Sequence, residues 1–272
     1  MATLEEAKVS IRSSGLAVSG RLGARLTGVI SLICFIVVWQ LVVVVTQIEP
    51  ILLPSPTAVL SQFFEAMQLG LLWPAVSSSL RPLATGLVLA LVVGVVVGLI
   101  IGASSWLNLL TGPYLWAFFA TPRIALAPLI VLWLGFGLSS KTLLVFLSAV
   151  VPVILSCKEG VQTVDESLVR AARSFGAGRF DLFRHVVIPF TLPFIANGIR
   201  NGIARGFVGL LIIEMTVGSG GIGTQVIRAM RDFNTARMFA FVSVLVVTSL
   251  TLITLSRKLE TRASRWREEV YV

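Results

Sequence analysis

Six stretches of this chain are apolar enough to need a lipid bilayer, and that property constrains the fold more than any motif does. Crossing about 30 Å of hydrocarbon at about 1.5 Å per residue takes about 20 apolar residues. Leu26 to Thr46, Leu83 to Ala103 and Met238 to Ser256 meet this requirement without a charged residue. Three more stretches, about Trp106 to Leu138, Thr142 to Cys157 and Pro189 to Glu214, are interrupted by proline, glycine or charge. Interrupted spans survive in a bilayer where protein or a wet cavity satisfies the freed backbone groups. Only 13% of residues are charged and 56% are hydrophobic, against about 25% charged in soluble domains. A soluble globule and a disordered chain are both excluded on that ground. The run from Leu26 is too long for the apolar part of a cleaved leader, and Gln47-Ile48-Glu49-Pro50 offers no small-residue cleavage pattern, so it reads as a retained span. The expected fold is an all-α polytopic membrane protein with about six transmembrane helices.

The net charge of +9 could suggest nucleic acid, but the basic residues avoid the apolar runs and cluster between them. Residues 1–25 hold four, 158–184 hold five and 257–272 hold five of the 22. The positive-inside rule then places these segments in the cytoplasm, with both termini inside and an even number of spans. The organisation expected is an N-terminal cytoplasmic segment 1–25, a membrane domain 26–257 with a cytoplasmic loop 158–188, and a cytoplasmic tail 258–272. Arg81, Lys141, Arg228, Arg231 and Arg237 flank spans on the outer side, and Arg123, Arg200 and Arg205 fall within spans.

Local signals fill in the connections. Ser55 caps a helix whose first residue is Pro56, followed by Val59, Leu60, Phe63, Phe64 and Met67 at helical spacing, which describes an amphipathic helix at the outer interface. Gly94, Gly98 and Gly102 form a close-packing seam, within the monomer or between subunits. Cys34 and Cys157 have no metal-ligand spacing and read as packing residues, and the lone His185 has no second ligand near it.

The loop between the fourth and fifth spans carries the functional signal. Thr163-Val164-Asp165-Glu166 fits a capping box, a helix Glu166 to Phe175 follows, and Gly176 sits where a left-handed cap is needed. A second short helix begins near Arg179 and ends before Pro189. Leu168, Phe175, Phe180 and Phe183 are apolar and Arg170, Arg173, Arg179 and Arg184 basic, so the loop is a knob suited to a groove on a cytoplasmic partner. Ala171-Ala172, three residues, Gly176, nine residues, then Val186-Val187-Ile188-Pro189 resembles the EAA loop of ABC-importer permeases, with Arg170 where glutamate is frequent, Val186 for Ile and Ile188 for Leu. Leu53-Pro54-Ser55-Pro56, Ala127-Pro128-Leu129 with Trp133-Leu134-Gly135-Phe136-Gly137, and Gly198-Ile199-Arg200 on to Ile213-Glu214 are similar to the sulfonate, taurine and nitrate permeases in particular. The resemblance implies a homodimeric permease of the bacterial inner membrane, moved by two ATPase subunits and fed by an extracytoplasmic solute-binding protein. It implies that Arg170, Ala171, Ala172, Phe175, Gly176, Ile188 and Pro189 couple to the ATPase, with ATP and Mg on that partner and no cofactor in this chain.

What the chain lacks fits that division of labour. There is no G-x-x-x-x-G-K-[S/T] phosphate loop, and Gly218-Ser219-Gly220-Gly221-Ile222-Gly223 follows a span rather than a strand, so it reads as a flexible outer turn or gate and not as a dinucleotide site. Charges inside hydrocarbon cost about 2.5–3.5 kcal/mol each on insertion scales and need a reason. Asn197, Asn201 and Arg205 recur every four residues as a polar stripe, and Thr121-Pro122-Arg123 breaks the third span. Two readings stay open: Arg123, Asn197, Asn201, Arg205 and Glu214 face a translocation pathway that favours an anionic solute, or the arginines pair with Glu214 or helix ends and hold the bundle. A self-sufficient secondary transporter would have only Glu214 as its intramembrane acid, and a membrane enzyme would need clustered His, Cys, Asp or Glu. Vitamin precursors and other small organic solutes are the alternative cargo.

Overall fold

A computed structural model of the chain describes residues 21–263, and those residues form helices and turns without a strand. The expected N-terminal segment and C-terminal tail lie outside the described residues, apart from the helical turns that reach into them. The elements are α1 (Arg21–Thr46), α2 (Pro56–Gln68), α3 (Leu72–Ala103), α4 (Ser105–Ala120), a 3-10 turn (Arg123–Leu126), α5 (Ala127–Leu134), α6 (Leu138–Gln162), α7 (Glu166–Ser174), α8 (Arg179–Leu182), a π-turn (Phe183–Val187), α9 (Ile188–Val217), α10 (Ile222–Arg231) and α11 (Thr235–Ala263).

Among the described residues, five helical runs are each long and apolar enough to cross a membrane by themselves. The third expected span is split: α4, of 16 residues, ends at Thr121, whose backbone is extended because proline follows it. The 3-10 turn and the eight-residue α5 then complete the segment up to Gly135, at φ +72°.

The core is a three-helix sandwich with α6 in the middle. Lipid is as apolar as leucine, so helices in a bilayer associate through close packing and hydrogen bonds, and small residues let them approach. Gly86, Gly94, Gly98 and Gly102 of α3 lie on Val145, Val153, Cys157 and Val161 of α6 in the same order, so the two helices run parallel. On the other side of α6, Gly198, Gly202, Gly206 and Gly209 of α9 meet Ser156, Ala149, Val145 and Ser148, with the overall order reversed, so α9 runs antiparallel. A β-carbon on Gly98 would stand 2.7 Å from that of Cys157 and 2.8 Å from the Ile154 carbonyl oxygen. The glycine seam is therefore an intramolecular α3–α6 contact. Leu83, Leu87, Ala90, Val145, Ala149, Phe207 and Leu210 fill the space between the three helices.

A second apolar cluster, Ala66, Ala75, Ile222, Val226 and Phe241, joins α2, α3, α10 and α11 at one end of the bundle. The cap expected for α2 is present, with Ser55 Oγ accepting from the Ala58 N–H at 3.3 Å. Helix α1 stands almost wholly exposed beside this end. Trp39 contacts Phe239 at 5.8 Å between ring centroids, and Gln40 Oε1 accepts from the Thr57 N–H at 3.3 Å.

Candidate functional site

Three constellations stand out: an exposed knob at one end of the bundle, an arginine pair beside the broken segment, and a buried ion pair at the opposite end.

The knob is built by capping. Asp165, not Thr163, is the N-cap of α7, with its Oδ1 accepting from the Ser167 N–H at 2.7 Å. Thr163 instead closes α6, because its hydroxyl reaches back to the Glu159 carbonyl at 2.9 Å. The Ser167 N–H holds the Asp165 carboxyl below the ordinary carboxylate range. At the far end Gly176 sits at φ +83°, its N–H donates to the Arg173 carbonyl at 2.9 Å, and the Ala177 N–H donates to Ala172 at 3.1 Å. This paired pattern ends a helix through one left-handed residue, as the sequence indicated for Gly176. The chain returns through α8, and here the structure departs from expectation: the helix does not end before Pro189. The π-turn Phe183–Val187 joins α8 to α9, with the Ile188 N–H bonding back to the Phe183 carbonyl. Proline lacks an N–H and its ring crowds the carbonyl four residues earlier, and a widened turn absorbs both effects. One helical run of 39 residues, Arg179–Val217, thus extends from the knob to the other end of the bundle.

The knob is open to solvent. Phe175 is 91% and Phe180 72% exposed, and Arg170 bonds to Glu166 one turn earlier at 3.1 Å. Ala171 and Ala172 lie on the same short helix, while Ile188 and Pro189 sit at the start of α9.

The broken third segment carries the second constellation. Phe119 is in the last turn of α4, and the Arg205 guanidinium of α9 lies over its ring, 4.5 Å from the centroid. Arg123 follows the break, in the 3-10 turn that packs against α9, the helix that carries Arg205. The Nε and Nη2 of Arg123 are enclosed without a hydrogen-bond acceptor. Earlier on α9, Asn197 Oδ1 accepts from Arg200 at 2.9 Å and from Asn201 at 3.5 Å. Asn201 and Arg205 are exposed, so the polar stripe lies on a face of α9 that this chain leaves uncovered.

The third constellation bears on three expectations. Glu214 does not pair with Arg123 or Arg205; it pairs with Lys141 at 3.0 Å, both side chains being enclosed. Lys141 is accordingly not a flanking cation but a bundle residue on the first turn of α6. Its ammonium also donates to the Gly220 carbonyl at 2.6 Å. The Glu214 carboxylate accepts from the Ser79 hydroxyl at 2.8 Å and from the Gly223 N–H at 3.0 Å, while the Ile222 N–H donates to Ser79 Oγ at 2.9 Å. Both charges of this pair are therefore hydrogen-bonded, which is the condition for tolerating an ion pair away from water. The Gly218–Gly223 turn, expected to be flexible, is pinned by these bonds. Gly221 lies at φ +102°, and a β-carbon there would overlap the Glu214 carboxylate. Glu214 is fully buried in this arrangement. The bonds of Ser79 and Lys141 to Glu214 escaped the sequence reading because each polar residue stands among polar neighbours near a helix start, far in sequence from its partner.

Comparison with known proteins agrees with this architecture. Residues 90–265 match the family described as the binding-protein-dependent transport system inner membrane component. The chain is 35% identical over 237 residues to the riboflavin transport system permease protein RibX of Chloroflexus aurantiacus, covering 87% of this chain and 88% of that protein. It is 30% identical over 245 residues to the taurine transport system permease protein TauC of Escherichia coli, covering 88% and 89%. The putative aliphatic sulfonates transport permease protein SsuC of Escherichia coli is 35% identical over 198 residues, covering 73% and 75%. A solved structure titled as an amino acid ABC transporter with histidines shares the fold at a TM-score of 0.57 and 18% identity, over 75% of this chain and 97% of that one. The chain belongs to the binding-protein-dependent inner membrane components, the permease subunits of ABC importers.

Proposed function

We propose that this chain forms the translocation pathway of an ATP-driven importer for a small anionic solute, as a homodimer in a bacterial inner membrane. Both termini and the 158–188 loop lie in the cytoplasm, where two ATPase subunits grip the knob formed by α7 and α8. An extracytoplasmic binding protein delivers the solute to the opposite face. The observation that carries the anionic assignment is the pair Arg123 and Arg205. Two guanidiniums on packed elements, with no carboxylate in ion-pair contact with either among the described residues and one of them enclosed and short of acceptors, form a site that an oxyanion completes. Similarity to taurine and sulfonate permeases supports the same chemistry.

The mechanism is alternating access. Closure of the ATPase dimer on ATP draws the two knobs together. The 39-residue run from Arg179 to Val217, about 58 Å long, carries that motion to the Gly218–Gly223 turn. The bundles rock and the arginine pair meets first one side and then the other.

Arg123→Gln and Arg205→Gln, tested in the assembled transporter, should each lower kcat/KM for taurine or an alkanesulfonate by about tenfold or more, the loss of one charge-assisted contact. Assembly with the ATPase should persist. Unchanged anion uptake in both variants contradicts the anionic site. A planar vitamin-like solute is the second reading, favoured by the likeness to the riboflavin permease and by the Phe119 ring at the site. Competition between riboflavin and taurine for uptake separates the two.

A further inference from the structure

Arg205 lies well inside its span, because its neighbour Gly206 packs on Leu87 and Val145 in the middle of the three-helix sandwich. A cation at that depth needs a specific reason and a specific partner. Its side chain is exposed on the uncovered face of α9. Among the described residues its guanidinium makes no hydrogen bond and no ion pair. What meets it is the Phe119 ring, whose centroid is 4.5 Å from the guanidinium carbon.

That ring is held firmly. Phe119 packs, together with Leu115 and Phe118, on the core cluster shared by α3, α6 and α9. Trp116 meets it edge-on, with ring centroids 5.8 Å apart and planes at 83°. The turn that carries it is closed by Thr121, whose N–H and hydroxyl both donate to the Ala117 carbonyl, at 3.0 and 2.8 Å. The ring is thus a fixed platform on the last turn of α4, and Arg205 is the mobile member of the pair.

A free arginine loses rotamer freedom when it grips a ligand, and that loss weakens binding. A guanidinium already resting on a ring has lost that freedom beforehand. The ring has no lone pair, so it leaves the N–H donors for a planar, bidentate acceptor such as a sulfonate. We propose that Phe119 is a positioning residue whose ring, by cation–ring attraction and not by shape alone, holds Arg205 ready for the oxyanion of the solute. This rests on the reading of Arg123 and Arg205 as an anion site.

The test replaces Phe119 in the full transporter by phenylalanines carrying one, two and three ring fluorines, introduced by amber suppression. ATP-driven uptake of taurine or an alkanesulfonate is measured in liposomes at saturating binding protein, on preparations matched for recovery of the ATPase. Fluorine withdraws charge from the ring face and nearly keeps the ring's shape, so the packing stays while the attraction fades. The expected result is a stepwise fall in kcat/KM of about two- to fivefold over the series, the range of a part-exposed cation–ring contact. In an Arg205→Gln background the same series should be flat, because the ring acts through Arg205. A series that is flat or rising in the native background overturns the proposal, as does an equal fall in both backgrounds. Arg205→Gln alone separates the two readings. If it lowers uptake while the fluorine series is flat, the anion site stands and only the role of Phe119 falls. If it leaves uptake unchanged, or if the native assembly takes up neither anion, the anion site fails and this proposal with it.

Discussion

Lys141→Met removes the cation 3.0 Å from Glu214, and the structure sets how much this should cost. At an effective dielectric of about 20, a unit pair at that distance attracts by about 5.5 kcal/mol. Desolvation offsets part of this, and breaking a buried pair from one side costs about 3–5 kcal/mol because the remaining charge is stranded. In Lys141→Met the carboxylate keeps only the Ser79 hydroxyl and the Gly223 N–H. In Glu214→Gln the amide oxygen still accepts from those donors, but the Lys141 ammonium keeps only the Gly220 carbonyl. The double variant strands no charge, so it should lose less than about 3 kcal/mol, and the single losses should exceed additivity by about 3 kcal/mol or more. Steric-trap unfolding in bicelles supplies the three free energies. Additive losses, or single losses below about 1 kcal/mol, refute the reasoning.

The turn held by this pair gives a second test. Gly221→Ala must force a residue into a glycine-only conformation and against the Glu214 carboxylate, for about 3 kcal/mol or more. Gly218→Asn, in a left-handed conformation with nothing within 4 Å of the added carbon, should cost about 1 kcal/mol or less by the same unfolding assay. Gly176→Val should abolish uptake while leaving the chain in the membrane, since a β-branched residue cannot hold φ +83° cheaply, and Gly176→Asn should keep most of it. Gly98→Leu should push α3 from α6 and destabilise the bundle by about 1–3 kcal/mol, read as a loss of unfolding free energy. The Asp165 cap is a carboxylate whose native ionisation is favoured, so its contribution is present above the ordinary carboxylate range and is lost only as pH falls through the lowered native value. ATPase association should therefore be flat through neutral pH in the native chain, and Asp165→Asn, which keeps an acceptor oxygen, should retain it.

Local signals in the sequence are strongest where one residue decides the backbone. Ser55 before Pro56, Gly176 after a short helix, and Thr121 before Pro122 each act through their own φ and ψ or through one nearby N–H, and the structure places all three as the sequence indicated. The glycine periodicity of α3 likewise marked a seam, though only the fold shows that α6 fills it. Competition between neighbours is harder to read. Thr163 and Asp165 both suit a cap, and the choice depends on whether Thr163 can reach the Glu159 carbonyl of the preceding helix. Pro189 signalled an end, yet a π-turn let the helix run through it, at a backbone cost that pattern alone does not reveal. Long-range polar pairing was least legible. Glu214 invited pairing with the arginines because they too lie in spans, whereas its partner is set by the α6–α9 packing, with Lys141 73 residues away. The same packing leaves Arg205 over Phe119 and the Nε and Nη2 of Arg123 without an acceptor.

Transport by the purified assembly tests the central claim most directly. The chain is tagged, purified gently with whatever remains bound, and reconstituted in liposomes with taurine as the probe solute and binding protein on one side only. The account predicts an ATPase subunit in equal copy number with the chain, and uptake that requires both ATP hydrolysis and the binding protein. A chain that emerges alone and accumulates solute on an ion gradient without ATP contradicts it.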